Sequence, residues 1–170
     1  MDVALLTAIT GKEHRCREEI ENALMPYDPE VRVVQLTKAS FLVRSNLMTP
    51  EAAVALLKRA PPTCGAKVFP VHLTEKADLG SLTSAVAKYV SSSKRYVGMK
   101  FYVDCITRSG SFDCRKAELA IGIALRGVAT VDFKSPDYVI FVNVYGDTAF
   151  VSFVKRGEEK LSAGSPRLNI

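Results

Sequence analysis

The sequence predicts an α+β protein made of two small α/β units that pack together. Three observations carry that prediction. Apolar strand runs and helical stripes alternate across residues 1–74 in the order βαββαβ. After Thr74 the order changes, and a helix now precedes the strands. A length of 170 residues with 48% hydrophobic content is enough to build the core of one domain or of two small ones.

Val3–Ile9 reads as an apolar strand. Lys12–Met25 reads as a helix, because Cys16, Ile20, Ala23 and Leu24 recur at helical spacing while Lys12, Arg15, Glu18 and Glu19 face water. Pro26 and Pro29 end it. Val31–Leu36 and Phe41–Arg44 form a hairpin, Thr49 caps a helix with Pro50 at its first position, and Lys67–Leu73 closes the unit as a strand. This order is that of a ferredoxin-like split βαβ unit, assigned to residues 1–74.

Residues 75–155 form the second unit. Leu79–Val90 is a helix with Leu82, Ala85, Val86, Tyr89 and Val90 as its apolar stripe, ended by the polar stretch Ser91–Arg95. Met99–Thr107 alternates as a strand, with Phe101, Val103 and Cys105 on one face and Lys100, Tyr102 and Asp104 on the other. The loop from Arg108 delivers Asp113 as the N-cap of a helix running to about Arg126. Val131-Asp132, Tyr138–Tyr145 and Thr148–Val154 supply further strands, the last two joined by Gly146-Asp147, a hairpin signal. Residues 156–170 are polar and read as a flexible tail.

The net charge of +5 is unevenly placed: nine Lys/Arg against eight Asp/Glu in residues 1–74, fourteen against ten in 75–170. Between Lys88 and Lys116 there are seven bases and only Asp104 and Asp113 as acids, the electrostatic footprint of a polyanion-binding surface. Enzyme templates fail. GxxxxGK[ST], GxGxxG and HExxH do not occur, and His14 and His72 have no obvious nucleophile partner. The loop Thr10-Gly11-Lys12-Glu13 lacks the glycine and valine pattern of the acylphosphatases. A non-catalytic protein without cofactor is the expectation. Four cysteines without CxxC or His spacing argue against a zinc site. Small buried thiols are one reading of them; a Cys105–Cys114 disulfide is the sharper alternative. No apolar run reaches membrane-spanning length and the N-terminus carries an acid where a signal peptide wants a base, so a cytoplasmic protein with no membrane contact is expected.

On the helix after Asp113, Gly122 and Arg126 each fall within about 20° of Arg115, and Ala117, Ala120, Ile121, Ala124 and Leu125 fill the opposite face. A mid-helix glycine costs about 1 kcal/mol relative to alanine. Close approach of a ligand backbone and tight packing against another element both account for it. Arg108, Ser109 and Ser111 lead into the helix N-terminus, a place that suits a phosphate unless Asp113 simply caps it.

The succession FYVDCITRSGSF, Ile121-Gly122, Val131-Asp132-Phe133, Ser135-Pro136-Asp137 and VIFVNVYGD resembles a THUMP domain over about residues 78–154. The preceding unit resembles the N-terminal ferredoxin-like domain that accompanies THUMP in tRNA-modifying proteins. The resemblance implies binding of tRNA at its acceptor stem and 3′ end. Small chains of this architecture resemble the adaptor that presents tRNA to a separate acetyltransferase making acetylcytidine; an adaptor for thiolation or methylation and a protein-interaction scaffold are the alternatives. The implied RNA contacts are Lys94, Arg95, Lys100, Arg108, Ser109, Ser111, Arg115, Lys116, Gly122, Arg126 and Lys134, extended by Lys12, Lys38 and Arg44 of the first unit. Tyr96, Tyr102 and Phe112 are candidate base-stacking groups with a core reading beside it. The chain departs from the family pattern at Thr107, where a second base often precedes Arg108, and at Asn143, where an acid often stands.

Overall fold

The computed structural model describes residues 1–161, which divide into two compact units: Met1–Val71 together with 157–161, and His72–Arg156. The first contains β1 (Asp2–Ala8), α1 (Cys16–Leu24, after a 3-10 turn at Glu13–Arg15), β2 (Arg32–Thr37), β3 (Ser40–Arg44), α2 (Pro50–Arg59) and β4 (Gly65–Pro70). Its sheet has the order β2-β3-β1-β4 and is antiparallel throughout, which is the split βαβ arrangement expected from the sequence. Helical spacing decides what α1 buries: Cys16, Ile20 and Leu24. Thr49 caps α2 as expected, its Oγ1 accepting from the Ala52 N–H at 3.1 Å, so Ala53 and Leu57 reach the core around Leu6, Phe41 and Val68.

The second unit contains β5 (Leu73–Lys76), α3 (Leu79–Ser91), β6 (Lys100–Ser109), α4 (Cys114–Ala124), β7 (Thr130–Val131), β8 (Tyr138–Tyr145) and β9 (Thr148–Val154). The sheet order is β5-β9-β8-β6-β7, with β6 parallel to β7 and β8 and the remaining pairs antiparallel. Leu82, Val86 and Val90 of α3 and Ala117, Ile121 and Leu125 beside them pack with Phe101, Ile140 and Val151 of the sheet. Gly146 takes a positive φ of 63° in the tight β8–β9 turn.

Three expectations change. The single strand Lys67–Leu73 is two strands: the Val71 N–H still donates to Val3 of the first sheet, while the His72 N–H donates to Val151 of the second. The sequence of β5, LTEK, is short and has a single apolar residue, so no strand periodicity announces it. The stretch 156–170 is not uniformly a loose tail, since the Val68 N–H donates to Glu159 O and the Leu161 N–H to Ala66 O, laying 159–161 along β4. Leu161 is buried in the first core; residues 162–170 lie outside the described residues. All four cysteines are paired rather than free thiols. Cys105 bonds Cys114 with Cα atoms 5.2 Å apart, the sharper of the two sequence readings. Cys16 bonds Cys64 with Cα atoms 5.5 Å apart, a pair that no local spacing announces. Among the described residues no helix is long and apolar enough to cross a membrane.

Candidate nucleic-acid interface

α4 starts where the sequence places it: the Asp113 carboxylate accepts the Lys116 N–H at 3.1 Å. Its buried stripe is Ala117, Ile121 and Leu125. On the other side Arg115, Gly122 and Arg126 do share a face, but Leu119 and Ile123 stand exposed among them. The result is an apolar groove of about 690 Å³ between α4, the start of β6 and the β7 strand, with an arginine at either end of its helical wall. A β-carbon on Gly122 would lie 3.9 Å from Val131 Cγ2, an ordinary contact. Tight packing against the sheet therefore does not demand glycine; what glycine supplies is a flat floor to the groove.

The residues before α4 do not form a phosphate cradle. Arg108 belongs to β6, not to a loop, and its Nε donates to Asn143 Oδ1 at 2.9 Å. Asn143 is fully buried, and Arg108 Nη2 and Asn143 Nδ2 are buried without a hydrogen-bond partner among the described residues. A neutral amide accepts only one of the bonds that a carboxylate would take from the guanidinium at this position. Gly110, at a φ of 87°, packs so tightly on the β8–β9 turn that a β-carbon would lie 3.1 Å from Gly146 Cα, and the Gly146 N–H donates to Ser109 O. Ser109, Ser111 and Lys116 are exposed around this pinned loop.

A second cationic group gathers at the opposite end of β6. Lys94 and Arg95 lie in the turn before it, and the Arg95 Nε donates to the Tyr138 hydroxyl at 3.2 Å. Lys100 opens β6, its N–H donating to Asp137. Lys134 lies in the β7–β8 loop, whose backbone carbonyls at Phe133 and Lys134 accept from Arg156. Asp132 ties this group together: the Ser135 and Lys134 backbone N–H groups hold its carboxyl below the usual value, and the Lys100 and Arg156 charges push the same way. Arg156 was not singled out by sequence because it falls in the stretch read as tail. Its guanidinium lies 5.5 Å from the Tyr102 ring centroid, and Tyr102 in turn stacks on the exposed Phe133 at 5.4 Å. Tyr96 is core, stacked on Phe153 at 4.5 Å, and Phe112 packs on the second core. His72 is structural as well, its Nδ1 accepting the Phe153 N–H at 3.0 Å.

In the first unit Lys12 and Lys38 are exposed, whereas Arg44 is held by Asp2 at 2.9 Å. His14 is exposed with Arg17 and Lys38 around a shallow, polar hollow. Among the described residues no three His, Cys, Asp or Glu side chains converge as a metal site.

The family model of the THUMP domain matches residues 76–154. Those residues are a THUMP domain. The structural likenesses extend beyond it. The PH1313 protein of Pyrococcus horikoshii matches at a TM-score of 0.64 and 17% identity, over 94% of this chain and 58% of that one. TrmN from Thermus thermophilus matches at 0.64 and 18%, over 95% and 47%. A 4-thiouridine synthetase, solved as an RNA complex with bound ATP, matches at 0.57 and 15%, over 91% and 42%. The chain thus spans about half the length of these structures, and at such identities the likeness is one of fold. No curated protein matches it in sequence. Within the THUMP domain, the residues proposed from sequence divide between the two ends of β6 and α4, with the apolar groove between Arg115 and Arg126.

Proposed function

We propose that this chain binds tRNA and presents it to a separate modification enzyme. The observation that carries the reading is the THUMP match over the unit whose cationic end holds Arg95, Lys100, Lys134 and, just past the matched residues, Arg156, tied together through Tyr138, Asp137, Asp132 and the Phe133 and Lys134 carbonyls, with Lys94 next in sequence. Such a surface addresses phosphates and the shape of A-form RNA rather than base edges, since side chains do not enter its narrow major groove. Phe133, exposed and backed by Tyr102 and Arg156, offers a stacking face to an unpaired base of the 3′ end. Lys116 lies at the other end of β6, Arg115 and Arg126 flank the apolar groove rather than this surface, and Lys12 and Lys38 are exposed cations of the first unit. Arg108 acts through the fold, holding Asn143.

The finer reading is that the modifying partner is an acetyltransferase making acetylcytidine, supported by the resemblance of the two-unit architecture to the acetylation adaptor. Thiolation and methylation are the alternatives. Gel-shift titration with bulk tRNA tests the coarse reading. Affinity falls steeply with salt, and the Lys100→Ala, Lys134→Ala double variant lowers the slope of log affinity against log salt by about 2, close to one for each lost phosphate contact. Absent or salt-independent binding overturns it. Disrupting the gene and profiling tRNA nucleosides tests the finer one: acetylcytidine disappears while thiouridine and methylated bases persist.

A further inference from the structure

We propose that the groove between α4 and β6 is a docking site for an extended segment of a partner protein, apolar at alternate positions and acidic at its ends, which adds as a strand beside β6. The proposal stands apart from the tRNA reading.

β7 covers only Lys100 and Phe101, so farther along β6 is itself the edge of the sheet. The Asp132 N–H donates to Phe101 O on the β7 side. In a parallel ladder the N–H and C=O of one residue point the same way and alternate residues share a side. Val103, Cys105 and Thr107 therefore turn their backbone groups toward the open side. One of these donors has a substitute partner: the Cys105 N–H donates to Glu118 Oε2 at 2.9 Å, a side chain standing where a neighbouring strand would be. An edge of this kind is what an extended peptide recognises, with main-chain bonds for affinity and side-chain pockets for specificity.

The groove that meets this edge at Val103 is apolar. Leu119 is 64% exposed, Ile123 56% and Val131 46%, three of the eleven exposed large hydrophobics among the described residues, and all line one groove. Gly122 leaves its floor open for a backbone. Arg115, in the first turn of α4, and Arg126, two residues past its end, are both exposed and flank the groove, and the eleven residues of α4 span about 16 Å at 1.5 Å per residue. A strand of about five residues at 3.3 Å each covers that distance, which sets the spacing of the two acids on the partner. Neither arginine has an ion-pair partner among the described residues, where the salt bridge is Arg44 with Asp2. RNA fits this groove poorly: its backbone cannot complete the ladder, and its phosphates would be laid against Leu119 and Ile123.

A displayed library of random twelve-residue peptides, selected on the full chain, tests the proposal. Selection returns peptides with alternating apolar residues flanked by Asp or Glu. A fluorescein-labelled selected peptide then binds the Ile123→Asp chain at least tenfold more weakly, and the Arg115→Glu, Arg126→Glu chain prefers the same peptide with lysines at its ends. The amides of Val103 and Thr107 gain protection from hydrogen exchange on binding. Circular dichroism checks that each variant is folded, and Leu119→Asp is the second variant if Ile123→Asp is not. No enrichment, peptides without acids, or equal binding by the Asp variants overturns the proposal. So does loss of tRNA affinity in Leu119→Asp and Ile123→Asp, which makes the groove a nucleic-acid surface. Unchanged tRNA binding with lost peptide binding separates the two sites.

Discussion

β4 leaves one side bare within its own sheet and β6 does so beyond Phe101, and the chain treats the two differently. Beside β4 it lays residues 159–161, whose backbone takes up the free groups of Ala66 and Val68 while Leu161 plugs the first core. Beside β6 it supplies a two-residue strand and the Glu118 carboxylate, and stops. An edge closed by backbone contributes stability; an edge closed by one side chain is protected from casual pairing yet can be opened. The difference assigns the first unit a structural role at this position and the second an interacting one.

The largest effects expected concern the disulfides, one adjoining each edge strand. Cys64 immediately precedes β4 and closes a loop of 48 residues with Cys16, whereas Cys105 lies in β6 and closes a loop of 9 with Cys114. Chain-entropy scaling gives about 4 kcal/mol for the first and about 2.6 for the second. Paired replacement by alanine, followed by denaturant unfolding with hydrogen exchange read separately in each unit, checks the ranking. Equal losses would mean that loop length does not govern these bonds.

Next in size is the plug. Leu161→Ala removes a buried leucine and is expected to destabilise the first unit by about 3 kcal/mol. The same contact explains Gly65: a β-carbon there would sit 2.7 Å from Leu161 Cδ1. Gly65→Ala should cost less in the Leu161→Ala background than in the wild type, a coupling that a double-mutant cycle on thermal or chemical unfolding measures. Strict additivity would mean that residues 159–161 do not hold β4.

Much of the fold was legible because its periodicities are strong. The stripe Cys16, Ile20, Leu24, the Thr49-Pro50 and Asp113 caps, and the Gly146-Asp147 turn each fix an element locally. β5, the Cys16–Cys64 bond and the role of Leu161 were hidden because each depends on residues distant in sequence. The candidate site was half legible. Helical phase placed Arg115, Gly122 and Arg126 together, but phase alone did not show that Leu119 and Ile123 would be left uncovered between them, since that depends on β7 ending after two residues. Arg108 was illegible for a related reason: its charge suggested a phosphate, while the β6 register shift lets its Nε reach Asn143 of β8, whose ladder partner is Ile106.

The smallest change in stability carries the sharpest test of the comparison. Glu118→Ala removes one charge-assisted bond from the Cys105 N–H, so the loss expected is about 1.5 kcal/mol. Its effect on association is larger, because the edge then has no substitute strand and an apolar groove beside it. The alanine variant should sediment at a higher apparent mass than the wild type as concentration rises, and its Cys105 amide should exchange faster in dilute solution. Glu118→Gln keeps an acceptor oxygen at the same reach and should behave like the wild type in both measurements. If alanine and glutamine are indistinguishable, with the Cys105 amide unmoved, the carboxylate is not what keeps β6 from pairing, and the contrast with β4 rests on β7 alone.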